Sequence, residues 1–116
     1  MLIYKIFRPA EWDALDEAGT TLGAPVDLAD GFIHFSTAEQ VRETAARHFS
    51  DDGDLVLAAV DTESLGQTLK WEASRGGALF PHLFRALDRA EVVWTTPLPR
   101  MADGHAFPEP LGGVPA

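Results

Sequence analysis

The stretch Leu55-Val56-Leu57-Ala58-Ala59-Val60 contains no polar residue, and it constrains the fold more than any other feature of the chain. A run of that length reads as a fully buried strand, central in its sheet. It is six residues long, far short of the roughly 20 apolar residues a membrane span needs. No membrane partner is expected. The N-terminus, Met1 to Pro9, has no basic segment leading into a long apolar one, so no secretory signal is read there. The chain has no cysteine. Disulfides, thiolate nucleophiles, zinc ribbons and iron–sulfur clusters are therefore excluded together. This fits a reducing compartment, and the expected localisation is cytoplasmic.

Other segments fall around that strand. Leu2-Ile3-Tyr4-Lys5-Ile6-Phe7 is rich in β-branched and aromatic residues and reads as a strand. Pro9 suits the first position of a helix, Trp12 and Leu15 share one face of it, and Gly19 stops it. Residues 20–30 read as irregular, broken by Gly23 and Pro25. Gly31-Phe32-Ile33-His34-Phe35 is a short strand. Ser36-x-x-Glu39 has the form of a capping box, opening a helix to about Phe49 with Val41, Ala45 and Phe49 as its apolar stripe. Asp51 to Asp54 is a turn, and Thr62 to Gly66 one helical turn. Leu69-Lys70-Trp71-Glu72 and Ala90 to Thr95 read as strands, and 74–77 as a flexible loop. Leu79 to Phe84 is apolar but interrupted by Pro81, so it is an edge strand or an ordered loop.

At 116 residues, with 46% hydrophobic and 23% charged side chains, the chain has the composition of one ordinary globular domain. Residues 1–98 are expected to form it. Five of the eight prolines fall in 97–116, so 99–116 is expected to be a Pro/Gly-rich tail with too few apolar residues to pack. Two helices and five or six strands indicate an α+β fold with a mixed or antiparallel sheet. The formal net charge is −9, which repels a phosphate backbone, and nucleic acid is not an expected partner. Lys70, Arg75, Arg85, Arg89 and Arg100 nonetheless concentrate positive charge in the later half.

Three segments carry candidate chemistry. Strand alternation puts Phe32 and His34 on one face and Ile33 and Phe35 on the other. His34 then meets the free N–H groups of a helix start at Ser36, a corner suited to an anion or a ribose. Equally, Ser36 is a plain cap and His34 a half-buried sheet residue. In Trp71-Glu72 followed by Arg75-Gly76-Gly77, a carboxylate near a strand end can act as a base or grip sugar hydroxyls. Arg75 beside two glycines can hold a phosphate, or the same residues form a loop with a surface ion pair. His82, among Phe80, Leu83 and Phe84, is either hydrogen-bonded in the core or faces a cleft. His48 is placed at a helix end, and His105 in the tail is set aside. His34, His48, His82 and Glu72 lack the short spacing of zinc motifs, and no metal is expected. No nucleophile elbow, P-loop or dinucleotide fingerprint is present.

Taken jointly, Ile3-Tyr4-Lys5-Ile6, Asp30 to Thr37, Gln40-Val41, Leu69-Lys70-Trp71-Glu72 and Leu79-Phe80-Pro81-His82-Leu83 resemble the bacterial domain-of-unknown-function family nine-five-two, over about residues 1–98. That family is grouped by remote similarity with the ADP-ribosyltransferase fold, a small split β-sheet with helices that holds NAD in its cleft. The resemblance implies that Phe35-Ser36-Thr37 and the following helix shape the pocket. It implies NAD as cofactor, with His34, Ser36, Thr37, Arg75 and His82 as binding residues and Glu72 with His34 as the catalytic pair for glycosyl transfer. The first-strand position, where many transferases carry His or Arg, falls near Tyr4 or Lys5. Where the family commonly has Tyr after the His-Leu pair, this chain has Phe84. The alternatives are a non-catalytic module for a small anionic metabolite and a protein-interaction domain using Trp12, Trp71 or Trp94. The oligomeric state is left open.

Overall fold

The computed structural model of the protein describes residues 1–111, the side chain of Arg75 excepted. In chain order the elements are β1 (Leu2–Phe7), α1 (Pro9–Ala18), β2 (Thr20–Thr21), α2 (Pro25–Asp30), β3 (Ile33–His34), α3 (Val41–His48), β4 (Leu55–Asp61), α4 (Thr62–Leu65), β5 (Leu69–Ala73), β6 (Leu79–Leu83), β7 (Leu87–Asp88), β8 (Val92–Leu98), β9 (Arg100–Met101) and β10 (Gly104–His105). No helix among the described residues is long and apolar enough to cross a membrane.

The apolar run lies at the centre of the first sheet, in the order β1-β4-β8. Its two faces serve two different cores. Ala58 and Val60 join Ile3, Phe7, Leu15, Ile33, Phe35 and Leu83 on one side. Leu55, Leu57 and Ala59 join Tyr4, Ile6, Val41, Ala45, Trp94 and Leu98 on the other. A strand covered on both faces has no position for a polar side chain, which is why β4 lacks alternation.

The second sheet has the order β3-β6-β5, and two short pairs, β2–β7 and β9–β10, complete the strands. Every pairing is antiparallel. The two three-stranded sheets meet at one isolated bridge, where Tyr4 and Ser36 each donate a backbone N–H to the other's carbonyl at 2.8 Å. The architecture is thus α+β with a divided antiparallel sheet.

Four helices form: the two expected, the expected turn at 62–66 as α4, and α2, which the sequence reading does not contain. Residues 20–30 are not irregular. Pro25 opens α2 rather than breaking the chain, since the first helical position does not use its N–H. Gly31 closes α2 in the left-handed conformation, with φ 84°. The expected Ser36–Glu39 capping box does not form. Helix α3 starts at Val41, and Thr37 takes the reciprocal role, its N–H donating to Gln40 Oε1 at 3.0 Å while its carbonyl accepts from Val41 N.

Strand β6 is central, not an edge, despite Pro81. The Pro81 carbonyl accepts from Phe35 N at 3.0 Å, so its nitrogen faces the same side, beyond the end of the two-residue β3. The one bond it forgoes is the return donation to the Phe35 carbonyl, at the end of β3, while the pairing of β6 with β5 is unbroken. The tail, expected not to pack, does so over its described part. Leu111 is buried in the second core and Phe107 packs against it, while Arg42 pairs with Glu109 at 2.6 Å. Residues 112–116, including Gly112 and Gly113, lie outside the described residues.

Candidate functional site

The most heavily built polar cluster begins at Gly23. Its φ is +101°, and a Cβ at this position would collide with the Asp27 side chain. Glycine therefore lets the chain fold tightly over Asp27, the third residue of α2. The Asp27 carboxylate is fully buried and accepts four hydrogen bonds. Oδ2 takes Ala24 N at 2.7 Å and Lys5 Nζ at 3.0 Å. Oδ1 takes His34 N at 3.1 Å and faces His34 Nδ1 at 2.6 Å. Lys5 also donates to the His34 carbonyl at 3.2 Å. Burial alone would raise the Asp27 carboxyl. The bond from His34, the charge and hydrogen bond of Lys5 and the Ala24 amide outweigh it and hold it at about 2.

His34 is therefore fixed by a buried, charged support. Its other ring nitrogen, Nε2, lies 3.0 Å from Asp30 Oδ2 at the exposed end of α2. Beside it, His82 turns Nδ1 to Glu72 Oε1 at 2.8 Å. The two rings stand edge to face with centroids 5.3 Å apart. Phe32 stacks on His82 at 4.2 Å and touches Phe84 at 5.1 Å. Two histidine–carboxylate pairs thus stand side by side, drawn from β3 and α2 on one hand and β6 and β5 on the other.

A cleft of about 800 Å³ opens along the seam between the two sheets. His34, Ser36 and His82 are on its wall with Lys5 and Asp27. Ser36 Oγ lies 2.9 Å from Thr44 Oγ1. Thr44 places its own proton on the Gln40 carbonyl at 3.2 Å, so it accepts from Ser36. Thr37 is not on that wall. Its backbone N–H and carbonyl are committed to the start of α3, where Gln40 Nε2 in turn donates to Leu79 O at 2.7 Å. Glu72 stands one hydrogen bond behind His82 rather than on the wall itself. Arg75 lies in the turn between β5 and β6, and its side chain is outside the described portion. His48, placed at the end of α3, also borders the cleft.

Among the described residues, Arg85, Arg89 and Arg100 are each held by separate partners. Arg85 grips Glu91 through two bonds of 2.9 and 2.7 Å. Arg89 pairs with Asp16 at 2.9 Å, and the Arg100 guanidinium rests on the Ser50 carbonyl. His105 donates to the Gly53 carbonyl at 2.8 Å. Sequence reasoning missed Asp27 as the support of His34. The signal was there in Gly23-Ala24-Pro25-Val26-Asp27, a proline at the first helical position followed by an acidic residue at the third.

Fold and site together define a small α+β domain whose two antiparallel sheets part around a histidine-lined cleft. The family described as Protein of unknown function (DUF952) matches residues 6–95, and the chain belongs to that family. The crystal structure of protein CC0527 from Caulobacter crescentus is 56% identical, with 90% of this chain and 92% of that chain covered and a TM-score of 0.87. A double mutant of CC0527 is 54% identical over the same shares, with a TM-score of 0.86. The solution NMR structure of CC0527 is 57% identical, covering 90% of each chain with a TM-score of 0.80. No curated protein matches the chain.

Proposed function

We propose that the cleft between the two sheets binds NAD or a closely related nucleotide, and that the protein uses it as an ADP-ribosyltransferase-like enzyme. The observation that carries this reading is the position of the cleft. It lies where the two sheets part, beside the Tyr4–Ser36 backbone bridge that links them, and its volume of about 800 Å³ is within the range of small-molecule sites. The rest of the assignment is by analogy of fold.

The Ser36 hydroxyl oxygen can accept from ribose or carboxamide groups, and His34 Nε2 becomes available to them where the ligand displaces the exposed Asp30 carboxylate. His82, oriented by Glu72, offers the opposite wall. As the nicotinamide bond breaks, positive charge develops at the ribose carbon, and the Glu72 carboxylate acting with His82 supplies opposite charge to that centre. Lys5 and Arg8 are poor partners for a pyrophosphate, because Lys5 is held by Asp27 and Arg8 by Asp52 and Glu11. The fold analogy gives that contact to Arg75, in the turn between β5 and β6.

The same neutralised Lys5 favours a second reading, in which the cleft holds a small metabolite without turnover. Calorimetry with NAD at millimolar concentration tests binding. Heat of binding that disappears in His34→Ala supports the site, and no heat with wild type removes NAD from it. Release of nicotinamide distinguishes the two readings.

A further inference from the structure

Strand β5 is the outer strand of the second sheet, bonded to β6 on one side only among the described residues. Its hydrogen-bonding phase follows from two flanking bonds, Phe84 N to Thr68 O and Ser74 N to Ala78 O, each 2.9 Å. Bonded pairs alternate along an antiparallel ladder. Lys70 and Glu72 therefore turn their backbone groups inward to β6. Leu69, Trp71 and Ala73 turn theirs to the open edge.

The side chains of that edge are complementary to themselves. Lys70 and Glu72 flank Trp71 symmetrically and share one face, because they pair with His82 and Phe80 of β6. Trp71 is on the opposite face with Leu79, which belongs to the pair Ala73–Leu79. These two apolar side chains are 40% and 54% exposed. Of the three tryptophans, Trp94 is buried in the second core and Trp12 packs edge-on against Phe7. Trp71 is the exposed one.

We propose that two copies of this chain pair antiparallel along β5, with a two-fold axis at Trp71, and so join their second sheets into one continuous sheet. In this register Trp71 meets the partner's Trp71 as a doubly bonded pair. Leu69 meets the partner's Ala73. Lys70 stands opposite Glu72 of the partner subunit, and the reciprocal pair forms by symmetry, as an isologous interface requires. Both ionic pairs occupy non-hydrogen-bonded positions, where facing side chains come closest. A strand whose edge carried two like charges would repel its own copy, and such charges are a common defence of exposed edges. Here the alternation of sign does the opposite. The pairing also sets the partner's Lys70 against Glu72, the residue that holds His82, so interface and cleft share a carboxylate. It does not depend on which ligand the cleft takes.

Sedimentation of the full chain over about 1 to 100 μM tests the proposal, since an oligomer of this kind is concentration-dependent. Wild type is expected to dimerise. Lys70→Glu and Glu72→Lys, each of which places two like-charge pairs in the interface, are expected to raise the dissociation constant about tenfold. The double variant with both reversals restores opposite pairing and is expected to return within about threefold of wild type. Loss of folding cannot imitate that rescue. A wild type that stays monomeric throughout, a dimer unmoved by either single reversal, or a double variant no better than the singles overturns the proposal.

Discussion

Lys5 Nζ meets Asp27 Oδ2 at 3.0 Å with side-chain exposures of 7% and 0%. The pair joins the first strand of one sheet to the helix that supports His34 of the other. Two charges removed from water this completely hold only as a pair, each satisfied by further hydrogen bonds. Asp27 has three other donors, and Lys5 has the His34 carbonyl.

Removing one partner leaves the other charged and buried. Asp27→Ala is expected to destabilise the protein by about 3–5 kcal/mol, measured by urea unfolding. Lys5→Met combined with Asp27→Asn is expected to cost less than the sum of the single changes, by about 1 kcal/mol or more in a double-mutant cycle. Strict additivity would contradict the pairing.

Acid unfolding follows from the same carboxylate. The folded Asp27 carboxyl is lowered from 3.8 to about 2, so folding is favoured whenever it is ionised. A lowered folded pKa gives stability that is complete above the unfolded value and disappears as the pH falls through the folded one. The contribution is on the order of 2 kcal/mol. It should be lost between about pH 4 and pH 2. Asp27→Asn is expected to show a correspondingly flatter stability profile across that window.

Gly23 has two independent reasons to be glycine. Its φ of +101° disfavours any L side chain, and a Cβ would strike Asp27. Gly23→Ala is expected to lose about 2 kcal/mol or more and to shift the His34 imidazole resonances by NMR. An unperturbed His34 spectrum would count against the tight turn as the support of the histidine.

The folded tail gives a stability prediction of its own. Leu111 is buried among Val41, Ala45, Trp94 and Leu98, so Leu111→Ala is expected to cost about 2–3 kcal/mol in thermal or urea unfolding. A change within about 0.5 kcal/mol, normal for a surface site, would show the tail to be dispensable.

Glu72 separates binding from turnover. It is 44% exposed at its side chain, so Glu72→Gln should leave stability within about 1 kcal/mol. Under the proposed reading the variant keeps NAD affinity within about threefold and loses nicotinamide release by at least about a hundredfold, the scale of one positioned charge. Equal release by wild type and variant would remove Glu72 from the chemistry.

Several elements were legible from residue order alone because their causes are local. The run from Leu55 to Val60 announced a buried central strand, Pro9 and Gly19 bounded α1, and alternation placed Phe32 with His34 and Ile33 with Phe35. Structure agrees in each case. The same local reasoning failed where two readings of one residue compete. Pro25 breaks a helix from inside but starts one at its first position. Ser36 has the chemistry of a cap, yet it carries the backbone bridge to Tyr4 and a hydroxyl contact to Thr44.

Residue order by itself determined the strand-rich α+β character, the central strand and the three segments, around His34, Glu72 and His82, that carry candidate chemistry, since periodicity, turn residues and caps act over a few positions. Only the tertiary structure decided that Lys5, Asp27 and His34 form one buried unit, that His82 is held by Glu72 beside it, and that Phe107 and Leu111 pack with Val41 and Ala45. Those relationships depend on burial. A charge pair or an apolar contact gains its value when distant segments exclude water from the same place, and no local pattern encodes which segments those are.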